Sequence, residues 1–274
     1  MNFVQEAEQS LRNGDVTSAL KYLQEAVRAK PADAKLRIFL FQLLCVLGQW
    51  DRALNQLNVV GELDVSALAM VQTYREALRC EALRAEVFAG KRSPMVFGQP
   101  EQWLALLIES LLTAGQGHLK EAADLHKRAF AEAEATSGLI EDKPFLWIAD
   151  ADSRLGPVVE AIINGRYYWV PFSNLSKIFI EKPEDLRDCV WMPAHFQFVN
   201  GGETVALIPT RYAGSEVSED PMILLARKTE WDEVAPGIFH GFGQRLFSTD
   251  AGDTAIMDIR QITLDSTPYE PAAS

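Results

Sequence analysis

The chain has 274 residues, 48% of them hydrophobic and 23% charged, with a formal net charge of −12. This composition fits a globular protein long enough to bury two cores and excludes a low-complexity or fibrous chain. The acidic balance argues against nucleic acid as a partner, and no apolar run approaches the roughly 20 residues a bilayer-spanning helix needs.

The acidic excess is uneven. Residues 1–137 hold 15 Lys/Arg against 17 Asp/Glu, and residues 138–274 hold 11 against 21. The opening Met1–Glu6 lacks the basic and apolar regions of a secretory signal, so a cytoplasmic location is expected. Cys45, Cys80 and Cys189 form no C-x-x-C pair, and an odd, scattered set fits a reducing compartment. His118, His126, His195 and His240 show no zinc-type spacing, so no metal is expected, and no cofactor motif is present.

Along the first half the period is helical and the pattern repeats. Gly14 and Gly48 lie 34 residues apart, as do Ala19 and Ala53, and Leu23 and Leu57; Pro31 closes the first copy. Gly allows the sharp turn of a helical hairpin, small Ala allows close helix approach, and Pro ends a helix. Gly117, Ala122 and Ala129 repeat the internal spacing, preceded by a Leu104, Leu107, Ile108, Leu111, Leu112 stripe. A helix with Val71, Tyr74, Leu78, Ala82, Ala85 and Phe88 on one face lies between, and Ser93-Pro94 and Gln99-Pro100 mark a loop. About seven helices are expected before residue ~137. The 34-residue period resembles the tetratricopeptide repeat.

Stacked hairpins of this kind offer a concave surface to peptides or helices. The inner positions read Val4, Glu8, Ile38, Gln42 and Cys45. They supply no cation for a carboxylate clamp, so an uncharged trough for an amphipathic helix is one reading and plain core packing the other.

After Ser137-Gly138 short strands and turn signals take over. A strand is expected over Phe145–Ala149, and a hairpin from Val158–Ile163 through Asn164-Gly165 to Arg166–Val170, because Asn-Gly suits a type I′ turn. A second hairpin runs from His195–Val199 through Asn200-Gly201-Gly202 to Glu203–Ile208. A short helix over Glu219–Arg227, a closing strand over Thr254–Leu264 and a loose tail from Ser266 complete the prediction. The fold class is therefore α+β: an all-α, tetratricopeptide-like hairpin array over residues 1–137, followed by a β-rich domain over residues 138–274.

Several runs carry a wider resemblance. These are Trp147–Pro157, Asn164–Pro171, Pro209–Ser215, Leu225–Trp231, Gly243–Arg245 and Thr249-Asp250, with Val87–Gly90 and Pro100–Trp103 in the helical half. In order and spacing they resemble the ImpE/TagJ family of type VI secretion accessory proteins, over nearly the whole chain. The resemblance implies a non-enzymatic adaptor that binds the N-terminal helix of the small sheath subunit (TssB) and connects with the sheath-recycling ATPase (ClpV).

The chemical alternative is a phosphatase-like hydrolase. Four residues, Leu146–Ala149, precede Asp150-Ala151-Asp152-Ser153, as in an aspartate-nucleophile motif, but Arg154 follows where Thr or Val is usual. A calcium loop fails at Arg154, Leu155 and Ala161. Gly241-Phe242-Gly243 lacks the frame of a dinucleotide site, and no Walker A sequence is present. Arg154, Arg211, Tyr212 and Arg245 fall in predicted turns. The arginines either pin loops by pairing with Asp150, Asp152 or Asp250 or, with Tyr212, form a partner-binding patch.

Overall fold

The computed structural model describes residues 2–98 and 101–265. Seven helices come first: α1 Phe3–Arg12, α2 Val16–Ala29, α3 Ala34–Val46, α4 Trp50–Leu63, α5 Leu68–Phe88, α6 Gln102–Gly115 and α7 Leu119–Glu132. Their starts are written locally. The Asp15 carboxylate accepts the Ser18 N–H (2.9 Å) and Asp33 accepts those of Lys35 and Leu36, each satisfying N–H groups that a helix start leaves bare. The helices pair as antiparallel hairpins, α1 with α2, α3 with α4, and α6 with α7. Ala19 and Ala53, the repeat alanines, are fully buried between them.

The remaining elements are mostly strands. They are β1 Met95–Val96, β2 Gly138–Ile140, β3 Lys143–Phe145, β4 Ile148–Asp150, β5 Val158–Ile163, β6 Arg166–Pro171 and β7 Leu175–Ile180. Then come β8 Trp191–Phe198, β9 Glu203–Pro209, the short helix α8 Pro221–Leu224, β10 Thr229–Ala235, β11 Ile238–Gly243, β12 Leu246–Thr249, β13 Gly252–Ala255 and β14 Gln261–Leu264. Nine strands form one sheet in the order β1-β6-β5-β9-β8-β7-β14-β2-β3. β13-β12-β4 forms a second sheet, and β10-β11 stands apart as a two-stranded hairpin. Both Asn-Gly hairpins appear as expected, with Asn164 and Gly165 at φ 49° and 72°.

Two strand expectations are corrected. Phe145–Ala149 is not one strand: β3 ends at Phe145, β4 begins at Ile148, and Leu146 and Trp147 between them are exposed. Thr254–Leu264 is split by a 3-10 turn at Ile256–Asp258 that buries Ile256. No strand is predicted at β10 or β11, because Thr229–Ala235 has no buried face to produce an alternation. The segment holding Ser93-Pro94 contains β1, which pairs in parallel with β6; Gln99-Pro100 and the tail from Ser266 lie outside the described residues.

The main sheet separates two apolar clusters. The alternation of β5 sends Val158 and Ile162 toward the helices, with Tyr167 and Trp169 of β6 and Trp191 of β8. Val159, Ala161 and Ile163 face the opposite cluster, with Val170, Met192 and Phe196. The helical array and the sheet thus share one continuous core.

That sharing closes the expected trough. Leu40–Val46 of α3 are buried without a break, and α3 packs against a 3-10 turn of the β-rich half, Leu186–Cys189. Arg187 lies over the Tyr74 ring at 4.8 Å, and Tyr74 and Trp50 meet Trp191 at 5.8 and 6.1 Å between ring centres. The middle of the concave face is filled by the chain itself.

Gly48 sits at φ 63°, and a Cβ there would meet the Glu216 Cβ at 2.8 Å; Gly117, at φ 87°, faces open space. Gly117→Ala should therefore cost only backbone strain, about 1 kcal/mol. Gly48→Ala should cost about 1–3 kcal/mol more through the forced displacement. Urea denaturation of the two variants, read by tryptophan fluorescence, checks this ordering.

Candidate functional site

Glu160 lies on the helix-facing side of β5, at the boundary between sheet and helices, with no solvent exposure. A buried carboxylate there needs cationic partners, and two arrive from different places. Arg84 of α5 donates from Nε to Glu160 Oε1 (2.6 Å) and from Nη2 to Oε2 (3.1 Å). Arg245, between β11 and β12, pairs with Glu160 Oε2 and with Asp150 Oδ2. The Tyr167 hydroxyl also donates to Glu160, and Trp169 Nε1 donates to that hydroxyl (2.8 Å). Glu81, one turn before Arg84, accepts from Trp191 Nε1 at 2.7 Å. Helix, sheet and C-terminal loops are thus tied at one point.

Burial pushes the Glu160 carboxyl up, but the guanidiniums of Arg84 and Arg245 outweigh it and hold it at about 2. Burial prevails at Asp150, which is pushed up to about 7 despite Arg245.

Asp150 opens the loop that builds the site's floor. Its Oδ1 accepts the Asp152 N–H (2.9 Å), and Asp152 in turn grips Arg154 through two guanidinium bonds of 2.9 and 2.5 Å. Asp152 Oδ2 also accepts the Gly241 N–H at 2.8 Å. Ser153 exchanges two bonds with Phe239: its N–H donates to the carbonyl and its hydroxyl accepts the amide. This loop therefore fastens β11, and with it the β10–β11 hairpin. Gly241 is required where it stands, since a Cβ would come within 2.3 Å of the Tyr212 ring.

The same loop faces the helices. His126 of α7 bonds the Ser153 carbonyl at 2.8 Å, and the Arg154 guanidinium lies 4.8 Å from the Phe88 ring centre. Between the α6–α7 hairpin and the β10–β11 hairpin an apolar cleft of about 320 Å³ remains open. Leu107, Leu111, Leu119, Ala122, Val234 and Ile238 are among its walls, and Arg154 is the one formally charged residue lining it. Burial lowers the His126 and His240 imidazoles, which stay neutral at pH 7. Leu119 and Val234 are exposed at the rim. The cleft is an open, largely apolar trough, and it lies away from the inner helix faces where the sequence placed one.

The residues expected to meet a partner are scattered. Val4 and Glu8 lie on α1, half-buried and exposed, and Glu8 pairs with Arg12. Ile38 is half-buried. Gln42 and Cys45 are buried under the Leu186–Cys189 side of the fold and cannot line an open groove. Arg211, Tyr212 and Arg245 are also corrected as surface contacts, being 4%, 1% and 0% exposed. Arg211 spends its guanidinium on the carbonyls of Val46 (2.7 Å), Cys45 and Leu224, and so caps the C-terminus of α3. Arg245 and Arg154 pin loops through Asp150 and Asp152, the structural alternative. Of these positions, only Arg154 borders the cleft.

Asp150 and Asp152 are buried and committed to these bonds, Asp250 accepts the Leu146 N–H, and Asp253 accepts from Ser248 Oγ. The four carboxylates do not surround one open pocket, so the hydrolase reading gains no support. No group of three or more metal-ligating side chains occurs among the described residues. Nor is any described helix long and apolar enough to cross a membrane.

Arg84→Met should lower stability by about 3–5 kcal/mol, because it removes the cation paired with buried Glu81 and leaves Glu160 with Arg245 alone. Urea midpoints at pH 7 would show it. The folded value of Glu160 lies below its ordinary 4.5, so its contribution is complete above that pH and drains away as pH falls toward 2. Asp150 acts oppositely, its contribution being lost as pH rises from 3.8 through 7. Urea midpoints should fall on acidification below about pH 4.5, by an amount equivalent to about 3 kcal/mol at the extreme.

A family model described as "ImpE protein" matches residues 142–263, and one described as "Tetratricopeptide repeat" matches residues 10–75. The type VI secretion system accessory component TagJ of Pseudomonas aeruginosa is 55% identical over 262 residues, which cover 95% of this chain and 92% of that protein. A crystal structure of protein VPA1032 from Vibrio parahaemolyticus superposes with a TM-score of 0.85 at 25% identity, covering 97% of this chain and 98% of that one.

Proposed function

This chain belongs to the ImpE/TagJ family of type VI secretion accessory proteins, and from that premise we propose that it is a non-enzymatic cytoplasmic adaptor holding the N-terminal helix of the small sheath subunit, TssB, and linking the sheath to the ATPase ClpV. The observation that carries the reading is the apolar cleft between α6–α7 and β10–β11. An amphipathic helix inserts apolar side chains at i, i+3 or i+4, and i+7 into such a groove, and its polar face remains in water. The cleft presents aliphatic walls, neutral imidazoles and one guanidinium already neutralised by Asp152. It therefore selects for apolar anchors. The tetratricopeptide-like array supports the same role in a changed form, with its third hairpin, rather than its filled concave centre, supplying the surface.

The test is calorimetric titration of the full chain with TssB from the same secretion system. Leu119→Asp and Val234→Asp change exposed rim residues, so folding should be preserved, and each should weaken binding about tenfold or more. TssB lacking its first helix should not bind. Undiminished binding by the shortened TssB would remove the adaptor reading, and undiminished binding by both rim variants would remove the cleft as its seat. The ClpV link is checked by whether ClpV retains TssB better in the presence of the chain than in its absence.

A further inference from the structure

A second groove lies elsewhere on the helical array and has a different chemistry. It runs between the N-terminal end of α4 and the middle of α5, has a volume of about 560 Å³, and shares no lining residue with the cleft. Its floor is apolar: Leu54 of α4 and Leu78 and Ala82 of α5, with Trp50 at one side. The Trp50 indole is itself positioned by Trp191, 6.1 Å away across the shared core.

Around that floor stand Arg52, Arg75 and Arg79. The chain carries −12 overall, yet these three guanidiniums gather in one depression with Asp51 as the one carboxylate among the lining residues. Arg75 donates to the Asn58 side chain (3.0 Å) and Arg52 to that of Gln49, both neutral acceptors. None of the three has an ion pair among the described residues, although the chain forms such pairs on exposed helix surfaces elsewhere, as at Arg28–Glu25. Arg75 and Arg79 lie one turn apart on the same face of α5, so like charges face each other there, and neither is ion-paired among the described residues. The N-terminus of α4 also opens here, with no side chain capping it, and its partial positive charge adds to the same field.

We infer that this groove is a docking surface for an acidic amphipathic helix of a partner protein. Apolar side chains of that helix would rest on Leu54, Leu78 and Trp50, and flanking carboxylates would pair with Arg52, Arg75 and Arg79. Guanidiniums suit this task because their fork of donors matches a carboxylate and stacks beside an indole. Both surfaces accept helices, but the cleft discriminates by apolar fit and the groove by charge. The chain is thereby equipped to hold two different partners at once.

The test uses the full chain carrying Leu119→Asp and Val234→Asp, so that the cleft is closed to apolar anchors, and three labelled synthetic helices of about 18 residues, a length that presents several turns to a groove. The first has Leu at i, i+3, i+4 and i+7 with Glu at the flanking positions. The second replaces every Glu by Lys. The third keeps the composition of the first but disperses the Leu. Fluorescence anisotropy should show binding of the first alone. That binding should weaken about tenfold between low and physiological salt, as expected for partly exposed charge pairs. The variant Arg52→Glu/Arg79→Glu should abolish it, and Arg52→Gln/Arg79→Gln should reduce it about tenfold, a milder change that guards against misfolding. The inference is overturned if the Lys peptide binds equally, or if both variants bind as the native chain does. Equal binding of the dispersed-Leu peptide, or of a single-stranded oligothymidylate, would reduce the groove to a general polyanion site and also overturn it. Because Leu119 and Val234 lie outside this groove, the signal in that background reads the groove alone, and the two surfaces stand or fall separately.

Discussion

The architecture depends on a charge that should not be affordable where it stands. Glu160 sits in the middle of a strand that is otherwise apolar on both faces, and its burial is tolerable because Arg84 comes from the helices and Arg245 from the C-terminal loops to meet it. Removing an ion from water costs several kcal/mol, and the mutual attraction repays that only when geometry and hydrogen bonding are complete. Here Tyr167 fills a remaining acceptor site of the carboxylate, and the Arg211 carbonyl takes a further donor of Arg84 at 2.8 Å. An apolar replacement would hold these elements together less selectively. The ionic junction ties α5, β5 and the turn before β12 at one point.

From that junction the accessible surfaces follow. With α5 fixed on the sheet, the Leu186–Cys189 turn is pressed onto α3, and the concave centre of the array becomes interior. What a free-standing repeat array would offer at its centre is offered instead at its far end, where α6 and α7 meet a hairpin that belongs to neither large sheet. The Asp150–Arg154 loop is the connecting piece. It receives Arg245 from the junction on one side and holds Gly241, Phe239 and His126 on the other. A motif that reads as catalytic in sequence serves here to position a wall.

Much of this was legible beforehand for reasons that are local. The glycine, alanine and leucine spacings announce helical hairpins because turn geometry and close packing each demand a particular residue. The Asn-Gly and Asn-Gly-Gly turns announce the two main hairpins for the same kind of reason. The burial of Arg245 was not legible, since a cation in a turn looks alike whether it faces solvent or a carboxylate brought from 85 or 95 residues away, and Arg211 is held by the still more distant carbonyls of Cys45 and Val46. Glu160 did leave a signal: a lone acid in Val158–Ile163, a run with no polar face, requires a buried cation. Its partner Arg84 sits in a helical pattern that also carries Glu81, and i, i+3 pairing there suggested nothing unusual. The β10–β11 hairpin was missed because both its faces are largely open, so hydrophobic alternation had nothing to act on.

The two ends of the nine-stranded sheet have a consequence of their own. One border is β1, two residues long, and the other is β3, where Lys143 and Pro144 occupy two of three positions. A stub offers too few free amides to recruit a neighbour, while a proline removes a donor and a lysine resists desolvation. Neither rim can template the growth of a ribbon from one molecule to the next. Three residues at one border and two at the other thus end the sheet within the molecule.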